Sequence, residues 1–571
     1  MKKIGFIFGF ILLFFLGCFG SFFVLADTEG EIRDFFVDKN YDLFSREKIS
    51  AFLQKVSQNA YFYLEKNWFD NLKPEEKEKI IQNLESLSQE FDQIIYPQLT
   101  SLFGSEWKPG IDNDERITIL FHQLKEEGGG YFNSGDEFPK LQSPHSNERE
   151  MVYLAAKNLF FDKTKIFLAH EFVHLITFNQ KERLHGASEE TWLNEARAEY
   201  VPSYLNYNEI YQNSILQQRV NIFLENPSDS LVDWDNQKKD YGSVNLFTQY
   251  LVDHYQKEIL VDSLNLKEVG LSSLDYALEK NKINKKISDI FLDWTIVNLL
   301  NDCSFDQNYC YKNSHLQNFR IISSLIFLPS PQQTNIHLKY SIKPWSSHWY
   351  RIIGGEGDLE IEFKGTKNGL FKIAFVLCQN TQSCRVDFFK LNKEQKGKVV
   401  IKDFGKNYTS LTLIPAVFNK EEKFFDFSLF ISIENLEEKE KLIAELMAQI
   451  EELRAKIIQL RAKIRKILRE KISCQRLTQN LFYGLRSKEI QCLQEFLKFQ
   501  GKEIYPEGLI TGFFGPLTFQ AVIRFQEKYP SEILIPQKLK RGTGYVDFFT
   551  RSKINEILNS EEINSEEKIG N

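Results

Sequence analysis

His170-Glu171-Phe172-Val173-His174 is the stretch that most strongly restricts the fold and chemistry of this chain. Residues four apart share one face of an α-helix, so His170 and His174 can present two imidazoles to one Zn²⁺. Glu171 then lies beside the metal, where a carboxylate can act as a base on water. The stretch predicts a metal-bearing helix and a hydrolytic site.

The sequence around this helix predicts an α+β domain over residues 27–335. Residues 117–121 and 151–155 are short apolar runs, typical of buried strands. Between them, Gly128-Gly-Gly-Tyr-Phe132 predicts an irregular sheet edge that another backbone can approach. We expect Asp162 to cap the helix that carries the histidines.

The segment that precedes these strands is predicted to be helical, from residue 27 to about residue 100. Its amphipathic stretches are residues 46–64 and 74–96.

A second motif, Trp192-Leu193-Asn194-Glu195, follows the histidines, and Glu199 stands one helical turn further on. The two motifs together resemble those of gluzincin metallopeptidases, the thermolysin and aminopeptidase-N clan. The resemblance implies that Glu195 is the third zinc ligand and that Glu199 orients a ligating histidine. An ordinary surface charge is the alternative for Glu199. Two histidines and one glutamate leave zinc the open position that catalysis requires.

The resemblance also implies a donor to the oxyanion of the reaction, usually a tyrosine or a histidine. Tyr241, in Asp240-Tyr241-Gly242-Ser243, is the candidate, because related secreted peptidases carry a Tyr-Gly segment downstream. A tyrosine of the core or of the surface is the alternative. His185 and His254 are weaker candidates.

Two further features narrow down which peptidases of the clan the chain resembles. It lacks the Gly-x-Met-Glu-Asn segment with which aminopeptidases hold the amino terminus of a substrate, and this favours an endopeptidase. Asp112-Asn113-Asp114-Glu115-Arg116 and the Gly-Tyr-Phe segment resemble hyicolysin-like secreted peptidases more loosely. Asp112 and Asp114 could bind calcium, although we favour a solvated turn for this stretch.

Residues 336–434 show the pattern of a β-sandwich, with short apolar segments between turns. We expect this domain to act as a spacer or stabiliser, and a binding module is the alternative. The strand-like segments are residues 349–353, 359–363, 371–377, 399–401, 411–414 and 425–433.

Residues 435–473 predict a coiled coil, because two sets of apolar residues each recur every seven positions. Isoleucine in the first set with leucine in the second favours a parallel dimer. A helical spacer that folds back on its own chain is the alternative. The first set is Leu436, Ile443, Ile450, Ile457 and Ile464, and the second is Leu446, Leu453, Leu460 and Ile467.

A dense group of motifs lies within residues 474–558. It comprises Ser487-Lys-Glu-Ile-Gln-Cys-Leu-Gln494, Gly501, Thr511-Gly-Phe-Phe-Gly515, Thr518, Ala521-Val522 and Phe525-Gln526. These motifs resemble the helical peptidoglycan-binding domain that ends many cell-wall hydrolases. The resemblance implies attachment to cell-wall glycan or to its peptide stems, and a retained fold that binds something else is the alternative.

The same region contains an internal echo, because the interval from Gly512 to Thr518 recurs from Gly544 to Thr550. It predicts two related helical hairpins. We expect four apolar side chains to form their core: Leu493, Leu497, Val522 and Phe525. A polar tail follows at residues 559–571.

The beginning of the chain predicts export. Lys2 and Lys3 precede an apolar run that ends in Val24-Leu25-Ala26, a small-residue cleavage signal. Cleavage of residues 1–26 is favoured over an uncleaved membrane anchor.

Six cysteines follow the leader, and an even count in an exported protein favours three disulfides. Their spacing alone does not establish the connectivity. The neighbours along the chain are Cys303 with Cys310, Cys378 with Cys384, and Cys474 with Cys492.

These observations together predict a multidomain protein. A zincin-type α+β catalytic domain is followed by a β-sandwich, a coiled-coil helix and a small all-α peptidoglycan-binding domain. The net charge of -7 over 571 residues shows no basic footprint of a nucleic-acid binder.

We expect an exported zinc endopeptidase that cuts protein or peptide substrates and is tethered to bacterial peptidoglycan. Hydrolysis of peptidoglycan stem peptides is one alternative. A non-catalytic wall-binding adhesin that has kept the zinc fold is another.

Overall fold

The computed structural model separates the chain into two compact units, Met1–Leu436 and Glu437–Asn571. The expected leader lies outside the described residues, as does the expected tail beyond residue 559. No helix among the described residues is long and apolar enough to cross a membrane. The described residues are 26–125, 129–329, 334–380, 383–420, 424–434, 436–469 and 474–559.

The first unit opens with a mixed six-stranded sheet in the order β1-β2-β3-β4-β6-β5. The pairs β3–β4 and β4–β6 are parallel, and the other pairs are antiparallel. Strands at residues 117–121 and 151–155 are therefore confirmed. The strands are β1 (Ile32–Phe36), β2 (Lys48–Val56), β3 (Ala60–Glu65), β4 (Ile117–His122), β5 (Gly130–Phe132) and β6 (Met151–Ala155).

The prediction of helical structure from residue 27 was wrong as far as residue 65, because β1 lies at Ile32–Phe36 and the expected helix at residues 46–64 forms β2 and β3. Every side chain of β3 is buried, and aromatic residues such as those of Tyr61-Phe62-Tyr63 favour a pleated strand. A short apolar run that is buried on both faces has no helical or strand period to detect. The prediction for residues 74–96 holds over most of its length, as a helix from Pro74 to Glu90.

The described part of the first unit also contains ten α-helices. Nine of them, α2 to α10, contribute buried side chains to one large core together with β3, β4 and β6. The helices are α1 (Lys66–Asp70), α2 (Pro74–Glu90), α3 (Tyr96–Phe103), α4 (Thr164–Thr177), α5 (Thr191–Tyr204), α6 (Ile215–Glu225), α7 (Lys238–Tyr255), α8 (Glu258–Leu264), α9 (Gly270–Lys280) and α10 (Ile287–Leu300).

Helix α4, which carries the histidine motif, begins without the expected cap. Lys163 is its N-cap residue and makes no capping hydrogen bond through its side chain. The prediction that Asp162 caps the helix was therefore wrong. Thr164 Oγ1 instead donates to the carbonyl oxygen of Phe161 at 2.9 Å.

The rest of the first unit is a sandwich of two sheets, ordered β13-β10-β15-β8 and β12-β11-β14-β9-β7. All six predicted strand segments are confirmed, and the second sheet begins earlier, with a strand at residues 324–328. The strands are β7 (Ser324–Leu328), β8 (Thr334–Ile342), β9 (Tyr350–Gly354), β10 (Gly357–Gly365), β11 (Phe371–Cys378), β12 (Cys384–Phe388), β13 (Lys396–Phe404), β14 (Ser410–Val417) and β15 (Phe425–Glu434).

The sandwich is joined to the helices by a shared core. Ala374 and Val376 of β11 and Ile414 of β14 belong to the same buried cluster as α10. Trp349 Nε1 donates to the carbonyl oxygen of Thr295 in α10 at 2.9 Å. This packing favours the role of stabiliser that the sequence predicts.

The second unit begins with one long helix, α11 (Leu436–Arg469). Every residue from 441 to 464 is exposed, including the apolar residues of the two heptad sets that fall within this range. No other described element covers that stripe.

A small helical domain follows, built from α12 (Lys488–Phe499), α13 (Pro516–Lys528), α14 (Pro530–Ile533) and α15 (Phe548–Asn559). The predicted core is confirmed, because its four side chains are fully buried: Leu493, Leu497, Val522 and Phe525.

The predicted internal echo appears as a repeated hydrogen-bond network. Gln494 Oε1 accepts from the backbone N–H groups of Thr511 and Gly512, and its Nε2 donates to Thr518 Oγ1. Thirty-two residues on, Gln526 makes the same bonds with Thr543, Gly544 and Thr550. Gln526 lies on α13, where Thr518 also lies, so the two repeats share this helix and do not form separate hairpins.

The six cysteines form three disulfides between neighbours in the sequence: Cys303–Cys310, Cys378–Cys384 and Cys474–Cys492.

Candidate metal centre

His170 and His174 lie on one face of α4, and their ring centroids are 4.9 Å apart. The opposite face of this helix is fixed in the core through Phe172, Val173 and Ile176. The backbone that holds the two imidazoles is therefore rigidly packed.

Helix α5 brings Glu195 to both histidines. Glu195 Oε2 lies 3.2 Å from His170 Nε2, and Glu195 Oε1 lies 3.6 Å from His174 Nε2. One donor atom from each of the three side chains falls within a group whose members are all within 4.8 Å of one another. Three side chains from two helices thus converge on one point.

The chemistry of this group fits a zinc ion. Two imidazoles and a carboxylate are a donor set of catalytic zinc sites, with three protein ligands and one position left open. Burial lowers the pKa of His170, but its hydrogen bond to Glu195 and the charge of that carboxylate outweigh burial and raise the pKa to about 9. The cluster is therefore an environment that favours a cation.

Glu171 is buried beside the three side chains. Burial, together with the negative charge of Glu195 and against the opposing effect of His170, raises the pKa of Glu171 to about 8. A Cβ atom on Gly130 of β5 would lie 2.8 Å from Glu171 Cγ and 2.6 Å from the carbonyl oxygen of Tyr153. Glycine is required there, because the edge strand passes directly against the carboxylate.

Glu199 is only 2% exposed, so it is not a surface charge. Its Oε1 lies 3.8 Å from His170 Nδ1, which is longer than a hydrogen bond. The same carboxylate accepts two bonds from Arg219, at 2.6 and 2.7 Å, and one from Asn245 Nδ2 at 3.2 Å. Glu199 is thus a fixed negative charge next to His170.

Arg219 and Asn194 were not singled out from the sequence. Arg219, on α6, links Glu199 to the ring of Tyr241, whose centroid lies 4.7 Å from the guanidinium carbon. No local pattern could reveal this link, because it depends on how α5, α6 and α7 pack. Asn194 precedes Glu195 on α5 and opposes the lowering of the pKa of His174 that burial causes. Its position beside Glu195 in the second motif was the available signal.

Tyr241 lies on α7 beside the cluster. Burial raises the pKa of its hydroxyl, and the charges of Glu195 and Glu199 raise it further. Its ring packs against Trp234 with the centroids 4.9 Å apart. Tyr241 is thus a buried neutral hydroxyl that is linked to Glu199 through Arg219.

Tyr41 is a second tyrosine near the cluster, and no sequence motif pointed to it. Burial raises the pKa of its hydroxyl, and Asp38, Glu171 and Glu195 add to the effect. Its ring stacks on Tyr131 of β5 at a centroid distance of 4.7 Å, yet the residue stays 40% exposed. Tyr41 therefore stands at the solvent side of the cluster.

The remaining candidates lie elsewhere. His254 Nε2 is hydrogen-bonded to the carbonyl oxygen of Cys310 at 2.9 Å. His185 is half-exposed near the end of the helical segment that continues α4. Asp114 accepts bonds from the Tyr61 hydroxyl at 2.6 Å and from the backbone of Arg116 at 3.0 Å, as a turn residue does.

Comparisons with known proteins add little to this description. No protein-family model and no curated protein matches the chain. One similar solved structure is a family GH115 4-O-methyl-alpha-glucuronidase with specificity for decorated arabinogalactans. It is 8% identical with a TM-score of 0.13, and the match covers 57% of this chain and 52% of that chain. The match thus spans about half of that structure's length and carries no argument about fold or function.

Proposed function

We propose that the protein is an exported zinc endopeptidase of the gluzincin type that is tethered to the cell wall. The observation that carries this proposal is the meeting of His170, His174 and Glu195 with a buried carboxylate, Glu171, at their side. His170, His174 and Glu195 would hold the metal. Zinc, when bound there, would act as a Lewis acid and make a water molecule acidic near neutral pH.

Glu171 carries the proton in this proposal. Its buried carboxylate accepts a proton from the attacking water and then delivers it to the amine that leaves. The burial of Glu171 beside the three converging side chains supports this role.

The edge of the first sheet is a suitable place for a peptide substrate. Among the described residues β5 is the last strand of the sheet and pairs only with β6. An extended peptide can add to such an edge through main-chain hydrogen bonds. Because Gly130 lies against Glu171, a peptide on this edge would pass the metal ligands. A binding mode of this kind requires no free substrate terminus, which supports an endopeptidase.

The tether rests on the resemblance of the C-terminal domain to peptidoglycan-binding domains. The glutamine network, repeated after 32 residues, supports this resemblance because it joins the motif positions Gln494, Thr511 and Thr518. A domain that holds the protein on peptidoglycan also brings the cluster to stem peptides, so these peptides are the second candidate substrate.

The deciding experiment compares the chain from residue 27 with two variants. Glu171→Gln should lower the cleavage of unfolded casein by at least about 100-fold, while about one zinc per chain is retained. Glu195→Ala should lose zinc as well as activity, because it removes a ligand. Glu209→Gln, at an exposed glutamate, is the matched control and should change neither.

Purified sacculi separate the alternatives in the same assay. Release of stem peptides without cleavage of casein would replace the endopeptidase with a wall hydrolase. If the zinc-loaded chain cuts neither substrate, the adhesin alternative stands and the peptidase proposal is withdrawn.

A further inference from the structure

The four-stranded sheet of the sandwich, β13-β10-β15-β8, has two faces of different character. Along β15, Phe427, Leu429 and Ile431 are buried in the core of the sandwich, whereas Asp426 and Phe430 alternate with them and are exposed. The other sheet is the one that packs on the helices, through β11 and β14. The outward side chains of the four-stranded sheet are therefore available to a ligand.

The strand register places three lysines in one row across this outer face. Lys364 of β10 is directly opposite Lys396 of β13, and on its other side it is directly opposite Ser428 of β15. Ser428 is in turn opposite Lys339 of β8. All three lysines are exposed. This lysine row, formed by Lys339, Lys364 and Lys396, thus extends over the full width of the sheet.

The positive charge of the lysine row is not balanced by the fold. None of its three lysines forms an ion pair with a residue that the structure describes, whereas the neighbouring Lys398 pairs with Glu360 at 2.5 Å. Like charges that face each other on adjacent strands destabilise a sheet, and Lys364 and Lys396 form such a pair. An anion bound between them would remove this repulsion.

An aromatic residue lies beside the lysine row on the same face. Phe430 of β15 is directly opposite Glu362 of β10 on one side and His337 of β8 on the other, and it is 38% exposed. Lys364, Lys396 and Phe430 line one groove with a volume of about 640 Å³. The groove therefore combines positive charge with an accessible aromatic ring.

We propose that this groove binds a linear glycan that carries phosphodiester groups. The lysine ammonium is a compact charge that binds phosphate, and the ring of Phe430 offers an apolar face on which a sugar ring can stack. The four strands contain no arginine, the residue whose planar fork matches a carboxylate. A groove accommodates a single polymer chain, whereas a lipid surface is flat.

The bound glycan would give the sandwich a binding role in addition to its role as a stabiliser. The inference depends neither on the proposed peptidase activity nor on the proposed tether, because the groove lies outside the histidine cluster and outside the C-terminal domain.

The test uses the chain from residue 27 and a fluorescently labelled poly(ribitol phosphate) that carries N-acetylglucosamine, with binding followed by anisotropy. We expect saturable binding that weakens by about 10-fold when the salt concentration rises from about 50 mM to about 500 mM, because exposed charges are screened. Lys364→Gln and Lys396→Gln should each weaken binding by about 5-fold, since each removes a phosphate contact. The matched control is Lys406→Gln, at an exposed lysine in the turn between β13 and β14, and it should bind as the parent does.

A second probe, inorganic polyphosphate, separates the contribution of the sugar from that of the charge. Phe430→Ala should weaken binding of the glycan polymer by about 5-fold and leave binding of polyphosphate unchanged, because polyphosphate has no ring to stack on Phe430. The Tm of each variant checks its folding. Lys396→Gln should not lower Tm, since it removes the contact between like charges.

Several results would overturn the proposal. A parent chain that does not bind the polymer has no such site, and binding that survives Lys364→Gln together with Lys396→Gln lies elsewhere. If Lys406→Gln weakens binding as much as Lys396→Gln, the polymer senses only the general surface charge. Tighter binding of single-stranded DNA or of phosphatidylglycerol vesicles would assign the groove to a nucleic acid or to a membrane instead. None of these outcomes affects the casein assay, which reports on the zinc cluster.

Discussion

Two tyrosines lie near the cluster of His170, His174 and Glu195, and their surroundings suggest different tasks under the proposed function. Tyr241 is held by Trp234 and Arg219 in a largely enclosed position. Tyr41 stacks on the edge strand and reaches solvent. A buried neutral hydroxyl suits the stabilisation of charge, whereas an exposed ring on the substrate edge suits contact with the substrate.

Tyr241→Phe should therefore lower kcat by about 100-fold with little change in KM, since loss of one donor to an oxyanion has an effect of this size. Tyr41→Ala should raise KM by about 10-fold and lower kcat little. Steady-state kinetics on a quenched-fluorescence peptide measure both. The assignment of Tyr241 fails if Tyr41→Phe, which removes only a hydroxyl, causes the larger fall in kcat.

Which residues of the cluster could be predicted depended on how far apart they lie in the sequence. His170, Glu171 and His174 are close in the chain, so the helical period alone placed them on α4. Glu195 could be predicted only from the resemblance to a known family, because no helical periodicity links it to the histidines. Arg219 and Tyr41 could not be found, since they reach the cluster only through tertiary packing.

Among the secondary-structure elements, α11 stands out because no other described element covers its apolar stripe. Its heptad side chains are roughly half exposed, for example Ile450 at 44% and Ile457 at 47%. A continuous apolar stripe on a single helix is unfavourable in water and marks an interaction surface. The heptad pattern is best satisfied when the stripe packs against a second copy of the same helix.

We expect the chain from residue 27 to be a dimer in light scattering, and Ile450→Lys with Ile457→Lys to convert it to a monomer. Ile458→Lys, one position outside the seam, is the control and should leave the dimer intact. A parent chain that is monomeric over a wide concentration range would instead favour the spacer.

A repeating pattern of apolar residues predicted some secondary-structure elements correctly and others wrongly. The heptads of α11 and the alternation in the sandwich extend over many residues, and both elements were predicted. The secondary structure of residues 48–65 was predicted wrongly. Strand β3 is apolar on both faces, and β2 is interrupted by an irregular register near Leu53. Strands β7, β8 and β12 were not among the predicted segments.

On the scale of the whole molecule, the helices that hold the histidines and the sandwich cannot be treated as separate bodies. Besides the shared core, Ser230 Oγ donates to the carbonyl oxygen of Pro344 at 2.6 Å, and Leu231 N–H to that of Trp345 at 2.8 Å. Lys372 of β11 pairs with Asp289 of α10 at 2.5 Å.

A protein that ends at residue 335 should consequently expose the apolar face of α10 and aggregate or melt without cooperativity. A protein of residues 27–434 should melt in one transition, at the temperature of the same unit in the full chain. Calorimetry and size-exclusion chromatography measure both. A cooperative transition in the shorter protein would show that the sandwich is dispensable for folding.

The position of β15 has a mechanical consequence. It is an inner strand, paired with β10 from Phe427 to Glu434 and with β8 from Phe425 to Ile433. Tension on a molecule fixed to a wall by its C-terminal domain would enter the first unit at Glu434, at the end of this strand. A pull directed along the strand would shear the hydrogen bonds on both sides together instead of opening them one after another. If the C-terminal domain anchors the protein as proposed, such a force would be resisted by the sandwich before it reached the helices that hold the histidines.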